Sequence, residues 1–184
     1  MIYYPDAFLD NLLLEDIQYG DLTCRALNIN HQLGTITFTC REAGCVSGIT
    51  LGCRLLEKLG LTVTAHLQEG DFAKQGDCLI SAEGRADALH QGWKVVQNVL
   101  EWSCGVSDYM AKMLEIYHRY QPKGQIACTR KNIPNTKLLA TQAVLAGGGI
   151  IHRQGCSETI LLFANHRHFL SEPDNRSEER RVGK

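Results

Sequence analysis

Two short basic segments carry the side chains in this sequence that are best suited to binding a small anion. Arg130 and Lys131 end a predicted strand, and His152 and Arg153 follow three consecutive glycines at 147–149. Guanidinium groups pair with carboxylate or phosphate through parallel hydrogen bonds, and lysine adds a compact charge. The glycines let the backbone approach a ligand or a neighbouring element closely. We therefore expect these four side chains to converge on a small polyanion; the alternative is that they are basic residues solvated at loop ends.

Helix and strand patterns in the N-terminal half predict the elements that precede this cluster. Helical periodicity occurs at 6–16 and 50–59, strand alternation at 34–41 and 61–67, and a further strand at 78–80. This order is typical of an α+β unit built on a small antiparallel sheet.

A change of pattern follows at residue 86. Residues 86–120 form a helical region that is apolar on two faces, which is typical of a helix buried between layers, and Cys104-Gly105 permits a break into two helices. After Pro122 the pattern becomes a strand at 125–129, a helix at 134–145, a glycine turn and a strand at 158–163. Such a β–α–β run implies a parallel sheet or a barrel.

The predicted fold is therefore an α+β N-terminal open-faced sandwich followed by the first β–α–β units of an incomplete α/β barrel. We assign residues 1–110 to the sandwich with its linking helix and residues 111–170 to the start of the barrel. Residues 171–184 are expected to be a disordered or artefactual tail. Their last part, RSEERRVGK, has no apolar period and resembles one translated frame of a common sequencing-adapter oligonucleotide.

Composition excludes several classes of protein. The 184 residues are 44% hydrophobic with a formal charge of −1, enough apolar content for a packed core and too little basic charge for a nucleic-acid binder. No apolar stretch is long enough to span a membrane, and the start lacks the basic region of a signal peptide, so we expect a cytoplasmic protein. The eight cysteines include no C-x-x-C pair, which favours reduced, buried thiols over a zinc site or a disulfide scaffold.

Five segments resemble the quinolinate phosphoribosyltransferase family, in consistent order from about residue 6 to residue 170. They are LLLEDIQYGDLT, EAGCVSG, EGDFAKQGDCLISAEG, QNVLEWSCGVS and TRKNIPNTKLLATQAVLAGGGIIHRQGCSETILLFANH. The last is similar to the family signature, in which T-R-K-x-x-P precedes G-G-G-x-x-H-R and then an N-H pair.

The resemblance implies a reaction and a set of binding residues. The family transfers ribose 5-phosphate from phosphoribosyl pyrophosphate to the ring nitrogen of quinolinate, with release of pyrophosphate and carbon dioxide and with magnesium as cofactor. Arg130, Lys131, His152 and Arg153 match the residues that hold the dicarboxylate. Lys94 stands where the family has an arginine that reaches into the partner subunit's site, which implies a homodimer or a higher oligomer. The resemblance assigns no catalytic residue and no protein metal ligand within this chain.

Departures from the family pattern imply a different acceptor. The family's lysine and aspartate in I-K-D-N-H align with Phe163 and Ala164, Lys94 replaces an arginine, and Thr141 stands where many relatives have lysine. These changes resemble the ModD branch, which is encoded with molybdate transporters, and predict that quinolinate is a poor acceptor. Because only two barrel strands are predicted, with the ribose and magnesium groups missing, we expect this chain itself to be inactive.

Three other hypotheses compete with phosphoribosyl transfer. EGDFAKQGDCL resembles the hairpin turn of biotinyl and lipoyl carrier domains, although Lys74 lacks the flanking residues those domains modify. His166 and His168, at i and i+2, would share one face of a strand and could begin a metal site. A non-catalytic accessory or regulatory protein linked to molybdate transport is the third, favoured by the incomplete barrel.

Overall fold

The computed structural model describes residues 2–170 and the backbone of 180–182. The helices are α1 Asp6–Leu14, α2 Leu22–Ala26, α3 Ile49–Lys58, α4 Ala86–His118, α5 Lys137–Ala146 and α6 Ala164–Arg167. The strands are β1 Leu33–Thr39, β2 Gly44–Cys45, β3 Thr62–Ala65, β4 Phe72–Ala73, β5 Cys78–Arg85, β6 Ala127–Cys128, β7 Ile150–Ile151, β8 Ile160–Leu162 and β9 Arg180–Val182.

The N-terminal sheet is antiparallel, as the alternating pattern predicted. Its strand order is β1-β5-β3, with Ile36 opposite Ala82 and Val63 opposite the same alanine. Phe38 and Ile80 point into the core, and threonines occupy the alternate, exposed positions of β1. Helices α1, α3 and α4 cover the apolar face, so the sheet and helices form the predicted open-faced sandwich. A second, two-stranded pair, β2 with β4, lies beside it.

A carboxylate distant in sequence caps α3. Gly48 precedes the helix with a φ of 87° and has no side chain to satisfy the first amides. Glu69, from the turn between β3 and β4, accepts hydrogen bonds from Ser47 Oγ at 2.8 Å and from the backbone N–H groups of Gly48 and Thr50 at 3.0 Å each. A negative charge at this position also complements the helix dipole. The turn and the helix are therefore held together by one side chain.

Helix α4 is continuous over 33 residues, so the break predicted at Cys104-Gly105 is wrong. Gly105 itself is exposed, but buried residues continue on both sides of it, with Ser103 before it and Ser107 and Met110 after it. A glycine in a helix interior costs only about 1 kcal/mol relative to alanine. Burial of side chains before and after the glycine outweighs that cost, so the helix continues through the residue where the sequence predicted a break.

The β–α–β unit beyond residue 122 is present, but its second strand is not the one predicted. β6 pairs in parallel with β7 across α5, through Ile150 N to Ile126 O and His152 N to Cys128 O, both at 2.9 Å. The predicted strand at 158–163 contributes only β8, which pairs antiparallel with β9. Two residues directly after a glycine turn are too few to show a period, which explains why β7 was missed.

Of the tail predicted to be disordered or artefactual, only Arg180–Val182 lies among the described residues, and its backbone forms β9. The rest of 171–184 lies outside them.

The glycine turn before β7 packs directly on α4. A Cβ atom added to Gly147 would lie 2.4 Å from the carbonyl oxygen of Ser107 and 2.8 Å from Cβ of Met110. From the other side, Ser107 Oγ donates to the carbonyl of Cys45 at 2.7 Å, and the Cys45 amide donates to Asp108 at 3.2 Å. Helix α4 thus joins the N-terminal sandwich to the barrel start through contacts that leave no room for larger residues.

All eight cysteines are free, and burial varies among them. Cys24 and Cys45 are buried, whereas Cys156 is exposed, contrary to the expectation of buried thiols throughout. Burial raises the pKa of Cys53 and of Cys104 to about 11. No described helix combines the length and the apolar character needed to cross a membrane.

Candidate functional site

Three of the predicted basic residues line one cavity of about 320 Å³ at the carboxyl ends of β6 and β7. Arg130 and Lys131 come from the segment after β6, and Arg153 comes from the segment after β7. Parallel strands present their carboxyl ends at the same edge, which is why residues far apart in sequence meet here. We call this space the basic cavity. No acidic residue lines it within the part of the chain that the structure describes.

Arg153 is the most informative of the three, because the residue is only 8% exposed. Its Nη1 donates to the carbonyl oxygen of Thr159 at 3.2 Å, which uses one of five N–H donors. Among the described residues, no carboxylate lies within ion-pair distance of Arg153, Arg130 or Lys131. Buried cations are normally paired, so the arrangement is one that an anionic ligand would complete.

His152 and Lys94 are not among the residues that line this cavity. Ile151 and Arg153 line it, but His152 between them does not. Lys94, on α4, lines a separate and larger cavity of about 690 Å³ beside β1 and β2. Its Nζ donates to Gln97 at 2.8 Å and lies 5.0 Å from the ring centroid of Trp93. Within one chain, the structure therefore brings together three of the five predicted binding residues.

The remaining walls of the basic cavity are largely apolar. Trp102 and Val106 contribute from α4, and Thr141 and Val144 contribute from α5. Sequence analysis missed Trp102 as a site residue because its position in an apolar stripe of α4 is equally typical of core. Thr141 is buried, so the position at which the family resemblance implies a lysine is uncharged in this cavity wall.

Cys128 also lines the basic cavity, at the end of β6. Burial raises the pKa of its thiol, so it faces the three basic residues as a neutral group at physiological pH.

The histidine pair predicted to share a strand face lies instead in and after helix α6. His166 is the third residue of α6 and His168 follows its end, and residues two apart on a helix point in different directions. Nδ1 of His166 accepts from the backbone N–H of Phe163 at 3.1 Å, and the two rings stack with centroids 5.9 Å apart. No group of three or more potential metal-ligating side chains occurs in the described residues.

Two family models match the chain in succession. The N-terminal domain model of quinolinate phosphoribosyl transferase matches residues 21–104, and the C-terminal domain model matches residues 106–181. The two meet within α4, and together they include the sandwich without α1, the basic cavity and its three basic residues.

The similar proteins carry two different names. The ModD pyrophosphorylase of Escherichia coli O6:H1 (strain CFT073) is 64% identical over 92% of this chain, and that of Pasteurella multocida (strain Pm70) is 52% identical over 95%. The nicotinate-nucleotide pyrophosphorylase (carboxylating) of Mycobacterium leprae (strain TN) is 27% identical over 88% of the chain. The chain spans 60%, 62% and 59% of the lengths of these three relatives.

A solved structure shares the fold. NadC from Streptococcus pyogenes superposes with a TM-score of 0.81 at 27% identity, covering 89% of this chain and 58% of its own. Matching elements, matching domain models and relatives at up to 64% identity therefore agree. The chain belongs to the quinolinate phosphoribosyl transferase family, and it shares more of its sequence with the ModD relatives than with the nicotinate-nucleotide pyrophosphorylase of M. leprae.

Proposed function

We propose that this chain is the N-terminal part of a cytoplasmic pentosyltransferase that moves a phosphoribosyl group from phosphoribosyl pyrophosphate to a carboxylated nitrogen heterocycle. The observation that carries the proposal is Arg153, a buried arginine without an acidic partner among the described residues, in a cavity that Arg130 and Lys131 also line. These three residues would hold the acceptor's carboxylate.

The chemistry assigns this chain a positioning role. In the proposed reaction the C1–O bond to pyrophosphate breaks, C1 gains oxocarbenium character, and the acceptor's ring nitrogen forms the new C–N bond. A carboxylate fixed by the basic cavity would hold the ring nitrogen in a defined position, which lowers the entropic part of the barrier. Magnesium would accompany phosphoribosyl pyrophosphate through its phosphates, with no ligand set from the described region.

The proposed acceptor carries less negative charge than quinolinate on the side that would lie near β8. Phe163 follows β8 and stacks on His166, in the position where the family resemblance places a lysine. A desolvated carboxylate that loses its charged partner costs on the order of 2–5 kcal/mol. We therefore propose an acceptor with fewer carboxylates than quinolinate. In the full-length protein, Lys94 would complete the partner subunit's site in a homodimer.

Ligand titration of the 184-residue chain tests the carboxylate site directly. Pyridine-3-carboxylate should shift the NMR signals of residues around the basic cavity, and Arg153→Gln should abolish saturable binding. The matched control is Arg119→Gln, because Arg119 is exposed and lies at the end of α4. Equal loss of binding in both variants, or none in either, would contradict the proposed site.

An activity assay separates this chain from the full-length protein. The 184-residue chain should release no pyrophosphate from phosphoribosyl pyrophosphate with any acceptor. The full-length protein should turn over an acceptor, but quinolinate only poorly, and Phe163→Lys combined with Ala164→Asp should raise quinolinate turnover. Efficient use of quinolinate by the unmutated full-length protein would overturn the proposed acceptor class.

A further inference from the structure

Cys128 places a thiol in the wall of the basic cavity. The residue ends β6, is half-buried, and lines the cavity together with Arg130, Lys131 and Arg153. Its sulfur makes no hydrogen bond with any residue that the structure describes. By contrast, the thiol of Cys104 donates to the carbonyl oxygen of Ser47 at 3.3 Å. The cavity therefore contains a nucleophilic atom that the fold does not engage.

Burial slows the reaction of this thiol with reagents dissolved in the solvent. It raises the pKa of Cys128, and the thiolate, which is the nucleophile, is therefore a minor form at physiological pH. An electrophile held in the cavity would overcome this disadvantage, because two reactants fixed side by side react far faster than two that meet by diffusion. Modification of Cys128 thus depends on what the cavity binds.

The cations of the cavity determine which electrophiles it would hold. Arg153 is buried and uses one of its five N–H donors, toward the carbonyl of Thr159, and no carboxylate among the described residues pairs with it. A carboxylate would gain charge-assisted hydrogen bonds there, whereas an uncharged molecule of the same shape would not. A volume of about 320 Å³ admits only a small molecule. The cavity therefore favours small electrophiles that carry a carboxylate.

We propose that Cys128 is a modification site, at which small α,β-unsaturated carboxylates add to the thiol and block the basic cavity covalently. The sulfur forms a bond to the β-carbon, the carbon–carbon π bond breaks, and the α-carbon takes up a proton in place of the one that the thiol loses. The product is a thioether that keeps every atom of both reactants, so the addition requires no oxidant, reductant or leaving group. The inference rests on the proposed function in taking the basic cavity as a carboxylate site, and it adds a reactive group that phosphoribosyl transfer does not use.

A matched pair of alkylating reagents isolates the effect of charge. Iodoacetate and iodoacetamide both lose iodide to the thiolate, and only the first carries a carboxylate. Peptide mass spectrometry gives their rates at Cys128 in the folded 184-residue chain and in the chain unfolded by urea, which has no cavity. The ratio of the iodoacetate rate to the iodoacetamide rate should be about tenfold higher in the folded chain, because one charge-assisted hydrogen bond contributes about a decade in an equilibrium constant. At the exposed Cys156 the ratio should be similar in the two states.

Acrylate and propanoate then test the addition itself. Acrylate should add its whole mass to the peptide that contains Cys128, and the adduct should abolish the binding of pyridine-3-carboxylate. Propanoate has the same charge and no double bond, so its effect on binding should disappear on dialysis. The binding that Cys128→Ser retains should be insensitive to treatment with acrylate.

Two arginine variants connect the effect to the cavity. Arg153→Gln should lower the folded-state ratio at Cys128 toward the unfolded value. Arg130 is exposed, so Arg130→Gln should lower the ratio while circular dichroism stays unchanged.

Three results would overturn the inference alone while pyridine-3-carboxylate still binds through Arg153. They are a ratio at Cys128 that does not rise on folding or rises equally at Cys156, a ratio that neither arginine variant lowers, and no acrylate adduct at Cys128 under conditions that give one in the unfolded chain. Absence of any Arg153-dependent binding of pyridine-3-carboxylate would overturn the proposed function and this inference together.

Discussion

Replacement of Glu69 by alanine should destabilise the N-terminal sandwich more than a single substitution in a turn usually does. The variant loses all three hydrogen bonds at the start of α3, from Ser47 Oγ and from the amides of Gly48 and Thr50. Ser47 and Gly48 are buried, so their donors would not regain full hydration. Loss of a helix cap costs about 1 kcal/mol, and a buried donor left unsatisfied costs about 1–3 kcal/mol. We expect a total of about 3 kcal/mol.

Urea unfolding of the 184-residue chain, followed by far-ultraviolet circular dichroism, measures this loss. For a chain of this size, about 3 kcal/mol corresponds to a fall in Tm of roughly 6–12 °C. Glu69→Gln keeps one carbonyl oxygen and should lose about half as much stability, because the three donors divide between the two carboxylate oxygens. The slope of the free energy of unfolding against urea should not change, since the folded state stays equally compact.

The control for this experiment is Glu57→Ala, which removes a glutamate from α3 itself. Glu57 is exposed, and its carboxylate makes no hydrogen bond or ion pair with any described residue. Its substitution should change stability by less than about 0.5 kcal/mol. A loss below about 0.5 kcal/mol in Glu69→Ala, or equal losses in the two variants, would refute the assignment of Glu69 as the cap of α3.

Two further predictions concern packing and thiol reactivity. Gly147→Ala should destabilise the chain by about 1–3 kcal/mol, because the new methyl group meets the Ser107 carbonyl oxygen at 2.4 Å. Gly105 lies on α4, the helix that carries Ser107, and a Cβ atom there would meet open space, so Gly105→Ala should stabilise the chain by roughly 0.5–1 kcal/mol. A higher Tm for Gly147→Ala than for Gly105→Ala in thermal unfolding would contradict the packing described. At pH 8, iodoacetamide should label Cys156 before Cys104, because Cys156 is exposed whereas burial raises the pKa of Cys104 to about 11 and keeps that thiol neutral. Peptide mass spectrometry over time measures the order, and equal labelling rates would show that Cys104 is more accessible than the structure indicates.

The parts of the fold that sequence predicted correctly are those with a period of their own. Alternating threonines and apolar residues gave β1, and the two apolar stripes gave α4, because each pattern reflects contact with one extended core surface. β7 could not be predicted in this way. Its two residues become a strand only because Ile150 and the following His152 donate backbone hydrogen bonds to Ile126 and Cys128 across the sheet. Such pairing leaves no local trace in sequence.

The candidate site also has residues that the sequence predicted and residues that it did not. Family likeness pointed to Arg130, Lys131 and Arg153, and the structure places them around one cavity. The family likeness could not indicate Trp102, because a tryptophan in an apolar helical stripe is equally typical of a core residue and of a residue that lines a binding cavity. His152 was expected with the three cations, but it does not line the cavity that they share.

Helix α4 has a consequence for any attempt to divide this protein. The two family models meet at Gly105, near the middle of a helix whose 33 residues extend for roughly 50 Å. A cut there would leave the sandwich without Ser107 and Asp108, which hold Cys45, and would leave the barrel start without the indole of Trp102. The units recognised by sequence comparison are therefore not independent modules. Both parts pack on α4, so a recombinant version of either part would have to include the whole of that helix.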